Sequence, residues 1–292
     1  MGLVDAFDRL RRPFEGPNTI GNSRAFWVGF LVVLVGLVGY PIGFGSYAAS
    51  SAALYLLYAI LALSLTVIWG YTGILSFGQV VFFGVAGYSF ALISMNLESA
   101  LTTMLALPVA VGIATLAALV LGYFMFYGEV RDVYVTILTL VVALVLNTFM
   151  AQTAGSEWTV GSVALGGFNG IPAIPSLTLG VGGAAITLDG ATFYWFTLAV
   201  LVASYLGLRA LVNGRFGYTM VATREDEDRT EMLGYDVRRV KLLVFALGGA
   251  LAGLSGVLYA TWGNYISPSV FGITFASIPV VWVAVGGRRS LL

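Results

Sequence analysis

WGYTGILSFGQVVFFGVAGYSFAL, residues 69–92, is apolar enough to lie in a membrane and cannot be read as one helix. Gly70, Gly73 and Gly78 crowd its first ten residues, and each interior glycine costs a helix about 1 kcal/mol against alanine. From Val80 the apolar run resumes. Tyr71, Thr72, Ser76 and Gln79 place neutral hydrogen-bonding groups at the interruption. Irregular backbone at membrane depth survives only where protein buries it or where it lines a water-filled path. Two readings stay open. Gly70, Tyr71, Thr72, Gly73, Ser76 and Gln79 form part of a solute path or its gate, or the segment is a tight turn in which Ser76 caps the next helix.

The rest of the chain gives this break its setting. Of 292 residues, 59% are hydrophobic and 10% charged, with mean hydropathy +0.94. Soluble domains carry about 25% charged residues, and repeated apolar runs of about 20 residues match a ~30 Å hydrocarbon core. The fold class is all-α: a polytopic membrane helix bundle, surrounded by lipid, with broken or re-entrant helices. About eight segments qualify, at 25–45, 47–69, 80–97, 101–127, 133–152, 193–212, 242–262 and 274–287. The last is short and contains Pro279, which suggests a half-helix.

Basic residues set the orientation, because Lys and Arg collect in cytoplasmic loops. With the N-terminus inside, Arg9, Arg11, Arg12, Arg24, Arg131, the cluster from Arg209 to Lys241, Arg288 and Arg289 all fall on one side. Residues 1–24 are then a cytosolic tail; a surface helix with Leu3, Val4, Phe7 and Leu10 on its apolar face is the other reading. Residues 25–292 form a single transmembrane domain, with an external loop at 153–192. In that loop Trp158, Phe168, Ile171, Ile174 and Leu177 are expected to pack.

Several functions are excluded. A formal net charge of zero gives no footprint for nucleic acid. With no Cys and no His, thiol chemistry and imidazole metal sites are absent, and no cofactor or metal is implied. No span has an acid or base near its centre, so a proton relay has no carrier. The only lysine, Lys241, is followed by Leu242 and cannot complete a P-loop, so the chain is no enzyme and has no ATPase site of its own. Asn147 is the second polar candidate for the path, since an asparagine facing lipid would be costly. Gly249 and Gly253, flanked by Ala252 and Gly256, have GxxxG spacing and serve close helix packing within the chain or against a partner.

One stretch stands apart. TREDEDRTEMLGYDVRRVK, residues 223–241, holds eleven of the chain's 28 charged residues. It resembles, together with GYTGILSFGQVVFFGVAGY (70–88), EVRDVYVTILTL (129–140), GGFNGIP (166–172), YISPSVF (265–271) and VWVAVGGRRSLL (281–292), the permease subunits of branched-chain amino acid and urea/amide ABC importers. The resemblance implies a second homologous permease, two cytosolic ATP-binding subunits, an extracytoplasmic solute-binding protein and a location in the plasma or inner membrane. It implies that the cytoplasmic loop 213–241 docks on the ATPase. There a helix over Arg224–Leu233 would present Met232 and Leu233, rimmed by Glu225, Asp226, Glu227, Asp228 and Glu231, and Gly234 would end it. Arg224 is expected in an exposed ion pair. LGYDV, Arg229, EVRDVYVTILT and above all VWVAVGG look more like the urea type, LTL at 138–140 and the Ile-Pro after Phe-Asn-Gly like the amino acid type. The solute implied is a branched-chain amino acid or urea or a short amide, with the urea type slightly favoured. Relatives continue past the Gly-Gly-Arg-Gly-Ser-Leu motif, so truncation at Leu292 is expected. Transport of a small neutral or zwitterionic solute is the function implied, with a passive small-solute channel as the alternative.

Overall fold

The computed structural model describes residues 12–97, 100–130, 133–180, 185–288 and 291. The surface helix weighed for the first eleven residues, and Glu98, Arg131, Asp132 and Arg289, lie outside them. Helix α1, Arg24–Leu65, runs on into a π turn, Thr66–Gly70. Its 47 residues, at 1.5 Å each, make about 70 Å, more than twice the hydrocarbon thickness. Gly45 resolves the excess. Its φ of 82° and ψ of 170° break the helix in a region open to glycine, and the chain doubles back.

Side-chain contacts trace that reversal. Along the first arm, Phe30 stacks on Tyr205 at 5.7 Å, and the Tyr194 hydroxyl donates to the Leu37 carbonyl at 2.9 Å. This arm therefore lies antiparallel to α5, Gly190–Asn213. Past Gly45, the Ser50 and Leu57 carbonyls accept from Trp262 and Ser255, which sets the second arm against α8, Val237–Gly263. At its end the Tyr71 hydroxyl donates to the Asn18 carbonyl at 3.0 Å. Spans 25–45 and 47–69 are the two arms of one hairpin that has no loop.

The remaining expected spans fall on α2 (Gln79–Asn96), α3 (Ala100–Tyr127), α4 (Val133–Gln152), α5, α8 and α9 (Ile273–Gly286). Helices α6 (Arg215–Glu225) and α7 (Glu227–Met232) make up most of the loop 213–241. With 14 residues, α9 is about 21 Å long, some 9 Å short of a full crossing. It is a half-helix.

Two helices form the interior. The most apolar windows of α2 and α8 are 67% and 61% buried, against 11–33% for the other long helices. The glycines of α8 explain why. Gly253 would place a Cβ 2.7 Å from that of Ala114, while Gly249 faces Ala118 and Gly256 lies on the Phe83 carbonyl. On α3 the matching surface is Ala106, Ala110, Ala114 and Ala118, one residue per helical turn and all fully buried. The GxxxG face is thus used inside the chain, where small residues let helix backbones approach closely.

The two ends of the bundle differ. At one end Arg209 meets Phe14, Arg224 meets Gly70, Arg238 meets Glu129, Lys241 meets Glu227 and Arg288 lies over Trp69. At the other, Asn96 binds Val160 and Ser162, and Asn264 binds the Ile174 carbonyl. Segment 153–192 covers that second end with two-residue antiparallel pairs; its 171–172 pairs with 265–266. Ile171, Ile174 and Leu177 are buried, and Trp158 sits edge-on to Phe149. Phe168, expected to pack, is 80% exposed. The 3₁₀ turn Gly167–Asn169 lies between positive-φ glycines and sets its backbone against Ala154, which leaves the ring outside.

Residues 12–23 fold back on the charged end of α5 around Arg209, the largest fully buried side chain. Its guanidinium donates to the Phe14 and Gly21 carbonyls at 2.6 and 2.8 Å and to the Tyr205 hydroxyl at 2.9 Å. It also lies over the rings of Phe26 and Trp27. Neutral acceptors and aromatic faces offset its desolvation without a carboxylate.

The glycine seam yields a paired prediction. Gly256→Ala drives a methyl into the Phe83 backbone and should lower stability by at least the ~1–3 kcal/mol typical of overpacking. Gly36→Ala meets no atom within 4 Å and should leave thermal unfolding of the purified permease unchanged or slightly raised.

Candidate functional site

The break between the hairpin and α2 is held by its own side chains and by side chains from two other elements, α4 and α6. After the π turn, Thr72 donates to the Ile68 carbonyl at 2.7 Å, and Gly73 takes φ +79°. The Thr136 hydroxyl donates to the Leu75 carbonyl, and that of Thr139 accepts the Phe77 N–H at 3.2 Å. Ser76 accepts the Gly78 N–H at 2.9 Å. Ser76 thus serves the turn but does not cap α2, whose N-cap Gly78 has no side-chain cap hydrogen bond, while α4 supplies the acceptor and donor that a straight helix would have provided. Gln79 opens α2 fully buried; its Oε1 accepts from Ser64, and its Nε2 has no partner among the described residues.

Arg224 corrects the sequence reading. It was expected in solvent, yet its side chain is only 20% exposed. One guanidinium nitrogen donates to the Gly70 carbonyl at 2.6 Å, and others bind Glu225. Gly73 packs against the same side chain, since a Cβ there would lie 3.2 Å from Arg224 Cγ. The last residue but one of α6 is therefore bonded to the first residue of the break. Sequence offered no signal for this contact, nor for Thr136 and Thr139, because the partners are separated by more than 60 residues.

Nor is the charged segment one helix over 224–233. Arg224 and Glu225 end α6, and Asp226 breaks the run with φ −162° and caps α7 by accepting the Arg229 N–H at 2.9 Å. An aspartate at this position competes for the backbone and favours a cap over a helix interior. Gly234, with φ +88°, ends the segment as expected. Met232 and Leu233 are 86% and 71% exposed. Tyr235 and Tyr218, missed in the sequence, are exposed on the same α6–α7 segment and its end. Glu227 pairs with the buried Lys241 of α8, and Glu231 lines the same small charged cleft with Glu129 and Arg238.

Asn147 lies apart from the break. It continues the buried stripe Val135, Thr139 and Ala143 of α4, is half-buried, and makes no hydrogen bond among the described residues. The structure thus brings Gly70 and Gly73 against Arg224, keeps Thr72 and Ser76 in the turn and Gln79 on Ser64, and leaves Asn147 nearer the opposite end.

A bundle of apolar helices with one broken pair, a half-helix and a charged, apolar-tipped segment at one end defines a multi-pass membrane permease. The family model described as branched-chain amino acid transport system / permease component matches residues 47–292, and the chain belongs to that family. The high-affinity branched-chain amino acid transport system permease protein LivM of Escherichia coli (strain K12) is 30% identical over 99% of this chain and 71% of its own length. A probable branched-chain amino acid transport permease protein LivM of Methanocaldococcus jannaschii is 26% identical over 80% of this chain and 73% of its own. The ribose import permease protein RbsC of Haemophilus influenzae is 25% identical over 80% of this chain and 66% of its own. No solved structure matches significantly. The protein is an inner-membrane permease; the urea leaning of some motifs finds no support in these relatives.

If the break gates a path, Gly73→Val should cut solute uptake at least tenfold while the complex still assembles. A β-branched residue is strained at φ +79° and crowds Arg224. Normal uptake would leave only the turn.

Proposed function

We propose that this chain is the membrane subunit of an ATP-driven importer that receives a branched-chain amino acid from an extracytoplasmic binding protein and passes it to the cytoplasm. Its partners are a homologous permease and two cytosolic ATP-binding subunits, and its charged end faces the cytoplasm. The observation that carries this reading is the bond from Arg224 to the Gly70 carbonyl. A partner that seizes Met232 and Leu233 displaces α7. Through Asp226 and α6 that displacement reaches Arg224, and through Arg224 the break at 70–78. Lys241 and Glu227 carry the same displacement to α8 at the centre of the bundle. A passive channel has no use for exposed apolar side chains at the tip of a charged segment, nor for a cation tying that segment to a broken helix.

Leu233→Asp should uncouple ATP hydrolysis from transport without blocking membrane insertion, because a charge in an apolar contact is strongly unfavourable when unpaired. Arg224→Ala should do nearly as much, since it removes a charge-assisted bond to buried backbone. The measurement is solute-stimulated ATP hydrolysis and uptake in the reconstituted complex. Full stimulation and uptake in both variants would reduce the segment to a topology signal.

Orientation has its own test. The chain has no cysteine, so Ser162→Cys should react with an impermeant maleimide added outside. Labelling from inside alone would invert the model.

A further inference from the structure

The charged segment and the break meet twice, and the two contacts fall on consecutive residues. Arg224, near the end of α6, donates to the Gly70 carbonyl. The second contact runs through the arm before α1. The Tyr71 hydroxyl donates to the Asn18 carbonyl at 3.0 Å, and the Asn18 side-chain amide donates to the Val212 carbonyl at 2.7 Å. Val212 is the last residue but one of α5, and Gly214 alone separates α5 from α6. Gly217, in the first turn of α6, lies on that same carbonyl, because a Cβ there would run into it. The start of α6 thus rests where Asn18 binds, and its end binds the residue before Tyr71.

This relay is largely out of water. Tyr71 is 2% exposed, Val212 is fully buried and Asn18 is half-buried. The arm is pinned on both sides of Asn18. Arg209 holds the Phe14 and Gly21 carbonyls, and the Asn213 amide donates to the Thr19 hydroxyl at 2.9 Å. The Val212 carbonyl belongs to the last turn of α5, where carbonyls have no intrahelical donor, so a cap from Asn18 is what any helix end would take. Capping explains the amide bond and leaves the Tyr71 hydroxyl unexplained. That hydroxyl joins the cap to the break, 53 residues away along the chain.

We infer that Asn18 is a positioning residue of the coupling route. With Tyr71 and the Val212 carbonyl it ties the start of α6 to the break, as Arg224 ties its end. The inference rests on the coupling reading above and adds a second connection, parallel to the first. Seven residues, about 10 Å, separate Gly217 from Arg224. A helix held at one end swings about that point. Held at both, it passes its displacement to residues 70 and 71 together.

The test compares basal and solute-stimulated ATP hydrolysis in the reconstituted complex of both permeases, the ATPases and the binding protein, with leucine as solute. Asn18→Ala should lower the stimulation about fivefold, the equivalent of one hydrogen bond, and leave basal hydrolysis unchanged. Asn18→Asp keeps the volume, loses the donor and should match it. Tyr71→Phe, which removes the hydroxyl, should lower stimulation by a similar factor. Because the two bonds act in series, Asn18→Ala combined with Tyr71→Phe should lose no more than either alone. Added to Arg224→Ala, the parallel tie, Asn18→Ala should lower further the stimulation that remains. Full stimulation in both Asn18 variants, an equal loss of basal and stimulated hydrolysis, or losses that multiply in the Asn18–Tyr71 double variant overturn the inference. Full stimulation in Leu233→Asp with a loss in Asn18→Ala would overturn docking through α7 and leave this tie standing. A wild-type complex whose hydrolysis ignores solute would overturn the coupling reading, and this inference with it.

Discussion

Everything else in this bundle depends on how closely α8 approaches α2 and α3. Lipid tails are as apolar as leucine, so helices in a membrane associate through packing rather than through the hydrophobic effect. The alanine stripe of α3 and the glycines of α8 supply that packing, with Gly256 against the Phe83 backbone and Gly253 against Ala114. The seam places α2 beside α8 at its centre, and from there the break before α2 and the half-helix after α8 acquire fixed positions. Ser255 and Trp262 then tie the second arm of the hairpin to α8 through its carbonyls.

The broken backbone is stable because its polar groups find partners. Thr136, Thr139 and Ser76 replace the bonds that a continuous helix would make within itself. Arg224 does the same at Gly70, but from a segment that reaches the surface. A structural requirement, satisfaction of one buried carbonyl, is thereby met by a residue of α6. The break and the charged segment are joined through that guanidinium.

Much of this architecture was legible. Apolar length against bilayer thickness separated 25–45 from 47–69, although the hairpin has no loop, because a 47-residue helix cannot fit. Glycine spacing marked 70–78 and the α8 face, and Pro279 with a short run marked α9 as a half-helix. The failures share a cause. Arg224 was read as solvated and Phe168 as packed because local composition says nothing of which distant backbone a side chain will meet.

Arg209 has a consequence for how the chain is made. Its partners Phe14, Gly21, Phe26 and Trp27 leave the ribosome about 190 residues before it does. At 5–20 residues per second that interval is about 10–40 s. Throughout it the carbonyls of residues 14–21 must be served by water or by passing partners. When α5 arrives, its guanidinium enters an apolar setting that only this waiting collar can make tolerable. Residues 14–27 are thus completed by a late helix.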